Sequence, residues 1–371
     1  MQVISLNLRN FRCYQEARVE LGDALTVVTG PNGAGKTNLL EGLYFACTGR
    51  SCRTNNEREV IRFGAGTART VLSGQAEDGL HELSVGFTAG QPKVMRADGA
   101  NVERLLDLSA RPLVSVFLPD RLELIKGAPA LRRAHLDQVV AALWPARAGT
   151  RREYGQALAQ RNALIARIRA GRAGRTSLRS WDAQLARHGL ALMADRRSAV
   201  ELIGQPFERL GQELGLDGLP TVSYRPRSKA TDPEQLVTEL AERLDLDLER
   251  GFTGHGPHRD DLATEHDGHD LRAYGSQGQQ RLALLALLLA EREAIAAHRP
   301  SAPMMLLDDV MSELDRDRRQ ALVELLRSSP GQSVITTTDL EHVPGATDPD
   351  VTHVAVSNGR LLAMAGATQD R

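Results

Sequence analysis

Aromatic side chains make up only 4% of the 371 residues, and of the 46 basic residues only Lys36, Lys93, Lys126 and Lys229 are lysine. So few rings, with only Tyr154 and Trp181 inside the arginine-rich stretch 147–197, argue against single-strand recognition by stacking and favour contact with duplex backbone. Long apolar runs are missing as well: the longest, residues 282–290, is far short of the ~20 residues a spanning helix needs. No charged-then-apolar segment opens the chain, so a cytoplasmic protein with no membrane contact is expected. The three cysteines, Cys13, Cys47 and Cys52, form no CxxC pair, which suits a reducing compartment and ordinary thiols. A net charge of −1 excludes a blanket attraction to nucleic acid.

What is present is more specific. The eight residues Gly30-Pro31-Asn32-Gly33-Ala34-Gly35-Lys36-Thr37 match G-x-x-x-x-G-K-[ST], a loop whose backbone N–H groups cradle nucleotide phosphates. A β-branched run at 24–29 precedes it and an apolar helical pattern at 38–45 follows, the order that such a loop requires. Gly33 and Gly35 let the backbone approach phosphate oxygens, and the helix beginning near Lys36 aims its positive end at them. In this reading Lys36 reaches the β and γ phosphates and the Thr37 hydroxyl ligates Mg2+. ATP or GTP is the expected ligand.

The length supplies one large domain or two to three ordinary ones, and 42% hydrophobic residues supply a core. Strand-like runs at 2–8, 17–21 and 25–29 are followed by three more at 70–74, 81–87 and 93–96, punctuated by Asp78-Gly79, Gly90-Gln91-Pro92 and Asp98-Gly99, which predicts an antiparallel meander. A strand at 114–118, ended by Pro119, leads into a helical pattern over 132–214. Strand character returns at 221–225 and 262–274, with His266-Asp267-Gly268-His269 as a hairpin turn, and ends in runs at 304–307 and 333–337. This predicts an α/β nucleotide-binding head at 1–119 and 250–371, split by a helical lobe at 120–249. No internal repeat and no heptad array of coiled-coil-arm length is present.

A second set of chemical residues lies in the C-terminal third. Met304-Met305-Leu306-Leu307-Asp308-Asp309 is an apolar strand ending in two acids, one suited to the Mg2+ shell and one to the attacking water. Before it, Ser276-Gln277-Gly278-Gln279-Gln280 opens an apolar helix, where unpaired N–H donors and a hydroxyl make a second phosphate-binding end. A plain N-cap role for Ser276 is the alternative. Ser312-Glu313-Leu314-Asp315 and Thr336-Thr337-Thr338-Asp339 follow.

That order resembles the ABC-type ATPases, in which the serine-glycine signature of one subunit covers the γ-phosphate held by another, with Ser312 and Asp315 in the D-loop. Further blocks carry the resemblance nearly end to end: Asn10 to Tyr14, Gly30 to Glu41, residues 117–127, Arg132 to Asp137, and Gly256 to Leu262. Together with the signature and 306–315 they resemble the RecF family of recombination-repair proteins. The resemblance implies an SMC-like ATPase head without a coiled-coil arm, dimerising with ATP on gapped or duplex DNA and promoting RecA loading with RecO and RecR. Weak, DNA-stimulated hydrolysis is what it implies for activity. Two departures from the wider ABC pattern matter. Asp309 stands where most of that superfamily has glutamate, setting the base roughly 1.5 Å back, enough to slow catalysis about 100-fold. Thr338 stands where transporters carry the switch histidine, and no Q-loop glutamine is assigned.

Charge is unevenly spread. Residues 147–197 hold twelve arginines against Glu153, Asp182 and Asp195, a local excess of nine, whereas 232–249 hold seven acids against Arg243 alone. Arg151, Arg152, Arg167, Arg169, Arg172, Arg175 and Arg179 are the candidates for DNA backbone contact, sequence-independent and salt-sensitive; a merely solvated arginine face is the alternative. His255-Gly256-Pro257-His258-Arg259-Asp260-Asp261 has metal-ligand residue types, but its glycine and proline deny helical spacing, so a structural turn is expected. Two rival functions share the nucleotide chemistry: a transporter ATPase subunit, and a nucleotide-gated scaffold with negligible turnover.

Overall fold

The computed structural model describes residues 1–108, 111–118 and 122–362. The chain divides into two compact units, Met1–Arg121 together with Arg299–Arg371, and Leu122–His298.

In the first unit β1 (Gln2–Phe11) and β2 (Tyr14–Glu20) form a hairpin, β3 (Leu25–Thr29) follows, and α1 (Lys36–Thr48) leaves the glycine loop. β4 (Thr67–Ala76), β5 (Gly79–Thr88), β6 (Val94–Ala97) and β7 (Ala100–Val102) build the expected meander onto β1, giving the order β2-β1-β4-β5-β6-β7. The β6–β7 hairpin closes through Asp98 and Gly99, both at positive φ (49° and 80°), the twist that matches flanking strands. Leu6, Leu8, Leu72, Leu83 and Val85 on this sheet share a core with Leu39, Leu40, Leu43 and Phe45 of α1. β8 (Val114–Phe117) follows; Pro119, expected to end it, and Asp120 and Arg121 of the same sequence block lie outside the described residues.

The second unit contains α2 (Glu123–Lys126), α3 (Pro129–Leu143), α4 (Thr150–Arg169), α5 (Arg179–Glu213), β9 (Pro220–Arg225), α6 (Pro233–Glu242), α7 (Leu244–Arg250), β10 (Asp261–His266), β11 (His269–Asp270), α8 (Leu271–Tyr274) and α9 (Gln277–His298). Tyr154, Ala157, Leu185, Leu192 and Leu240 form a core between α4, α5 and α6. Two sequence expectations change here. Residues 271–274 are a helical turn, not strand, because the Asp270 carboxylate accepts the Arg272 N–H at 2.8 Å and starts a helix. Residues 250–298, expected in the head, belong to this compact unit, since β10 pairs with β9 along its whole length and α9 lies against α5. Pairings of that range leave no local trace in sequence.

The chain then returns to the first unit with β12 (Met304–Leu307), α10 (Arg316–Ser328), β13 (Ser333–Thr337), β14 (Val351–Ser357) and β15 (Arg360–Leu362). The second sheet has the order β15-β14-β3-β13-β12-β8, parallel from β14 to β8. All five residues of β3 are buried, the continuous burial of a strand covered on both faces. β13 lies between β3, which delivers the glycine loop, and β12, which delivers the acids. Among the described residues no helix is long and apolar enough to cross a membrane.

Candidate functional site

The glycine loop is shaped by what crowds it. Gly35 starts α1 at φ 118°, and a Cβ there would fall 2.7 Å from Cys13 Sγ and 3.0 Å from the Tyr14 hydroxyl, which itself donates to the Gly35 carbonyl at 3.0 Å. Among the described residues no side chain caps the start of α1, so its first N–H groups are open to an anion. Lys36 Nζ donates back to the Gly30 carbonyl at 2.7 Å and the Pro31 carbonyl at 3.1 Å. Burial pushes the Lys36 ammonium below the usual lysine range, opposed by the charges of Asp309 and Asp308.

The two acids meet the loop through hydroxyls. Thr37 Oγ1 donates to Asp308 Oδ2 at 2.8 Å, and Thr336 Oγ1, from the intervening β13, donates to Asp308 Oδ1 at 2.7 Å. The Asp309 N–H donates to the same Thr336 oxygen at 2.9 Å. Asp309 takes a left-handed backbone, φ 46°, and its Oδ1 is buried with no hydrogen-bond partner among the described residues. Ser312 Oγ donates to the Asp309 carbonyl at 2.8 Å and steadies the turn; Asp315 accepts the Arg318 N–H at 2.9 Å and caps α10. Asn32, Gly33, Lys36, Thr37, Asp308 and Asp309 thus line one cleft of about 330 Å³.

Sequence reasoning gave no role to Arg53, which lines the same cleft. Its guanidinium donates to Asn38 Oδ1 at 3.1 Å and to Glu41 Oε2 at 3.4 Å. Glu41 is completely buried and also accepts Arg12 Nε at 2.8 Å, Arg12 Nη2 at 2.7 Å and the Ser51 hydroxyl at 2.5 Å. Thr336 is the second omission. Arg12 and Glu41 fall inside blocks that carried the family resemblance, but nothing local pairs them across 29 residues.

In the second unit Ser276 forms a reciprocal cap: its Oγ accepts the Gln279 N–H at 3.2 Å while Gln279 Oε1 accepts the Ser276 N–H at 2.9 Å. Gln280 is buried and holds the Leu271 and Gly275 carbonyls, whereas Ser276, Gln277 and Gly278 face solvent. A Cβ on Gly278 would meet only Ser276 Oγ, at 3.9 Å, so nothing within the unit requires glycine there.

The arginine-rich stretch separates into two populations. Arg161 is wholly buried, bonded to Asp182 and Asp247 at 2.7 Å each, and Arg196 is buried against Asp137. Arg151 pairs with Asp137 of α3 at 3.1 Å and Arg175 with Asp245 of α7 at 2.8 Å, so acids of α3 and α7 partly neutralise the basic stretch. Arg152, Arg167, Arg169, Arg172 and Arg179 are exposed, most of them at the elbow between α4 and α5. The histidine-carboxylate block is a hydrogen-bonded junction. His258 Nδ1 meets the Tyr154 hydroxyl at 2.6 Å and Nε2 the Thr253 carbonyl at 2.9 Å, while His255 meets Glu239 at 2.6 Å.

Residues 5–96, which include the glycine loop, match a family model described as an AAA domain. Over 375 residues the chain is 37% identical to the DNA replication and repair protein RecF of Anaeromyxobacter sp. (strain Fw109-5), covering 98% of this chain and 100% of that one. The chain belongs to the RecF family of DNA replication and repair proteins. A RecF from Myxococcus xanthus (strain DK1622) is 35% identical, covering 99% and 98% of the two chains. Among solved structures, the recombination mediator protein RecF-ATP of the RecFOR pathway superposes with a TM-score of 0.85 at 26% identity, covering 98% of each chain. The RecF fold of the chain, an α/β ATPase head with an antiparallel sheet and a helical insertion, accords with the fold expected from sequence.

Proposed function

We propose that this RecF-family chain is a cytoplasmic, ATP-dependent DNA-binding protein of recombinational repair whose two copies enclose ATP. The observation that carries the nucleotide reading is the Thr37–Asp308 contact, which joins the glycine loop to the acid strand at the mouth of one cleft. A hard divalent cation fits that donor set, because hydroxyl and carboxylate oxygens converge beside a buried, unsatisfied Asp309 oxygen. Thr37 and Asp308 would hold Mg2+, which when bound neutralises charge on the β and γ phosphates.

The residues then divide the work. The open N–H groups of the loop and of α1 bind the phosphates, and Lys36 exchanges the Gly30 and Pro31 carbonyls for phosphate oxygens. Asp309, held by Thr336 and Ser312, accepts a hydrogen bond from the attacking water. Ser276 and Gly278 of the second copy close over the γ-phosphate, with Ser312 and Asp315 at the same seam. An exposed glycine with no steric reason inside its own unit supports that role, since another molecule must approach it closely. DNA backbone lies on the exposed arginines of the α4–α5 elbow, and slow hydrolysis releases it. RecO, RecR and RecA are the partners this reading brings with it.

Sedimentation of the purified chain with and without ATP-Mg2+ tests the proposal, with a gapped duplex in one arm and Lys36→Met and Ser276→Arg as controls. Dimers that need ATP and fail in both variants are expected. A monomer under every condition refutes the trans site.

A further inference from the structure

Phe63 is 100% exposed, beyond any other large apolar side chain among the described residues. A lone exposed ring is ordinary on a protein surface. This one, however, is held out by a pinned backbone. The Arg62 N–H donates to the Asn10 carbonyl at 2.8 Å, the Ala65 N–H to the Arg62 carbonyl at 2.9 Å, and Ile61 bridges Phe11. Just before it, Val60 is fully buried and its carbonyl accepts the Arg12 N–H at 2.7 Å. Gly64, at φ 81°, completes the turn. Fixing the chain on both sides while leaving the ring in water is the arrangement of a side chain that docks into something else.

The charge around it says what. In the β1–β4 register Arg9 stands directly opposite Arg69, a like-charged cross-strand pair that destabilises a sheet unless an anion lies over it. Arg9 and Arg69 are exposed, and Arg9 adjoins Asn10, the residue to which the Phe63 turn is bonded. Arg58 and Arg62 precede the ring in sequence. Among the described residues, none of Arg9, Arg58, Arg62 and Arg69 has a carboxylate within ion-pair distance. On its other side Arg9 faces Glu16 of β2, its direct partner in the β1–β2 register, and Glu59 lies 4.0 Å from Arg12. Three guanidinium groups with no acid opposite them or within ion-pair distance, Arg58, Arg62 and Arg69, beside a fixed, solvated ring suit a polyanion that also offers a flat apolar face. Single-stranded nucleic acid has both; in an intact duplex the base faces are already stacked.

We propose that the Phe63 turn, with Arg58, Arg62 and the neighbouring Arg69 on the antiparallel sheet, forms a single-stranded DNA site, in which the arginines hold the phosphates and Phe63 stacks on one base. It deepens the DNA-binding reading and rests on it, but places single-strand contact away from the α4–α5 elbow. One ring per molecule suffices for one base, so the scarcity of aromatics does not oppose it.

The test is fluorescence anisotropy with a labelled oligothymidine and with a blunt duplex, at matched salt, for the wild type, Phe63→Ala and Phe63→Trp. Loss of one stacking platform weakens single-strand binding about tenfold in Phe63→Ala, with duplex affinity and ATP-dependent sedimentation unchanged. Phe63→Trp keeps the affinity, and its added indole emission is quenched by the oligonucleotide. Arg69→Glu lowers single-strand affinity and flattens its salt dependence. The proposal is overturned if Phe63→Ala binds oligothymidine like the wild type, or loses single-strand and duplex binding equally. It is equally overturned if Phe63→Ala abolishes the ATP-dependent dimer, since the ring's partner is then a second copy of the chain. A wild type that binds neither DNA refutes the broader DNA-binding reading, a result distinct from a variant that matches a wild type that binds.

Discussion

Thr37 and Asp308 stand 271 residues apart in sequence and share a 2.8 Å hydrogen bond, Oγ1 to Oδ2. Thr336 donates to the other Asp308 oxygen, so the carboxylate is fixed from both sides before any ligand arrives.

Replacing Asp308 by Asn removes one negative charge from that clamp and leaves its size unchanged. The expected outcome is a loss of at least tenfold in magnesium-dependent nucleotide affinity, with little change in binding measured in EDTA. Titration with a fluorescent ATP analogue in the two buffers checks this. Equal affinity of wild type and variant in magnesium removes Asp308 from the metal-holding role.

Asp309→Asn is structurally mild, because asparagine tolerates the left-handed backbone found there at φ 46° and keeps the N–H bond to Thr336. Turnover should fall by about 100-fold or more, while ATP-dependent dimers and their DNA complexes persist longer than those of the wild type. Stopped-flow release after an ATP chase measures that lifetime. An unchanged lifetime means that hydrolysis plays no part in release and favours the nucleotide-gated scaffold.

Arg161 lies wholly inside the second unit and ties α4 to Asp182 and to the buried Asp247. Arg161→Met strands the Asp247 charge, an effect of about 3–5 kcal/mol. Urea denaturation should show the loss as a lowered midpoint for this unit, and adding Asp247→Asn should recover part of it. Arg152→Met, at an exposed position, should leave the midpoint unchanged.

Burial pushes His258 down to about 4, against a partial upward pull from its hydrogen bond to the Thr253 carbonyl; the Arg259 and Arg133 charges add to the lowering and Asp247 opposes it. With the folded value below the unfolded one near 6.5, the unfolded chain takes up the proton first on acidification. Stability is therefore unaffected above about pH 6.5 and falls between there and about pH 4, by about 3 kcal/mol in full. Melting temperatures of wild type and His258→Gln across that window check the sign: the wild type should lose more on acidification than the variant.

How much of this was legible in the chain depended on range. The glycine loop, β3, α1 and the acid strand read correctly because a strand, a turn and a helix start are each written in about ten consecutive residues. The Arg12–Glu41–Arg53 group was silent, since a salt bridge between distant residues has no periodicity to detect. The arginines of 147–197 showed a harder limit: composition counts charges without telling which way they face, and Arg161 and Arg196 point inward. The 250–298 segment was placed by its motifs, while its packing follows β9 and α5, partners that only the folded chain identifies.

The central strand β3 has β13 on one side and β14 on the other, and both are made from residues beyond 332. A ribosome therefore exposes β3 and the glycine loop long before their neighbours exist. At roughly 5–20 residues per second, this half-built head waits on the order of ten seconds or more while the inserted unit is translated. During that interval an apolar strand with two open edges is at hand for chaperones or for misassembly, and a message cut short within the insertion yields a glycine loop with no acid to face it.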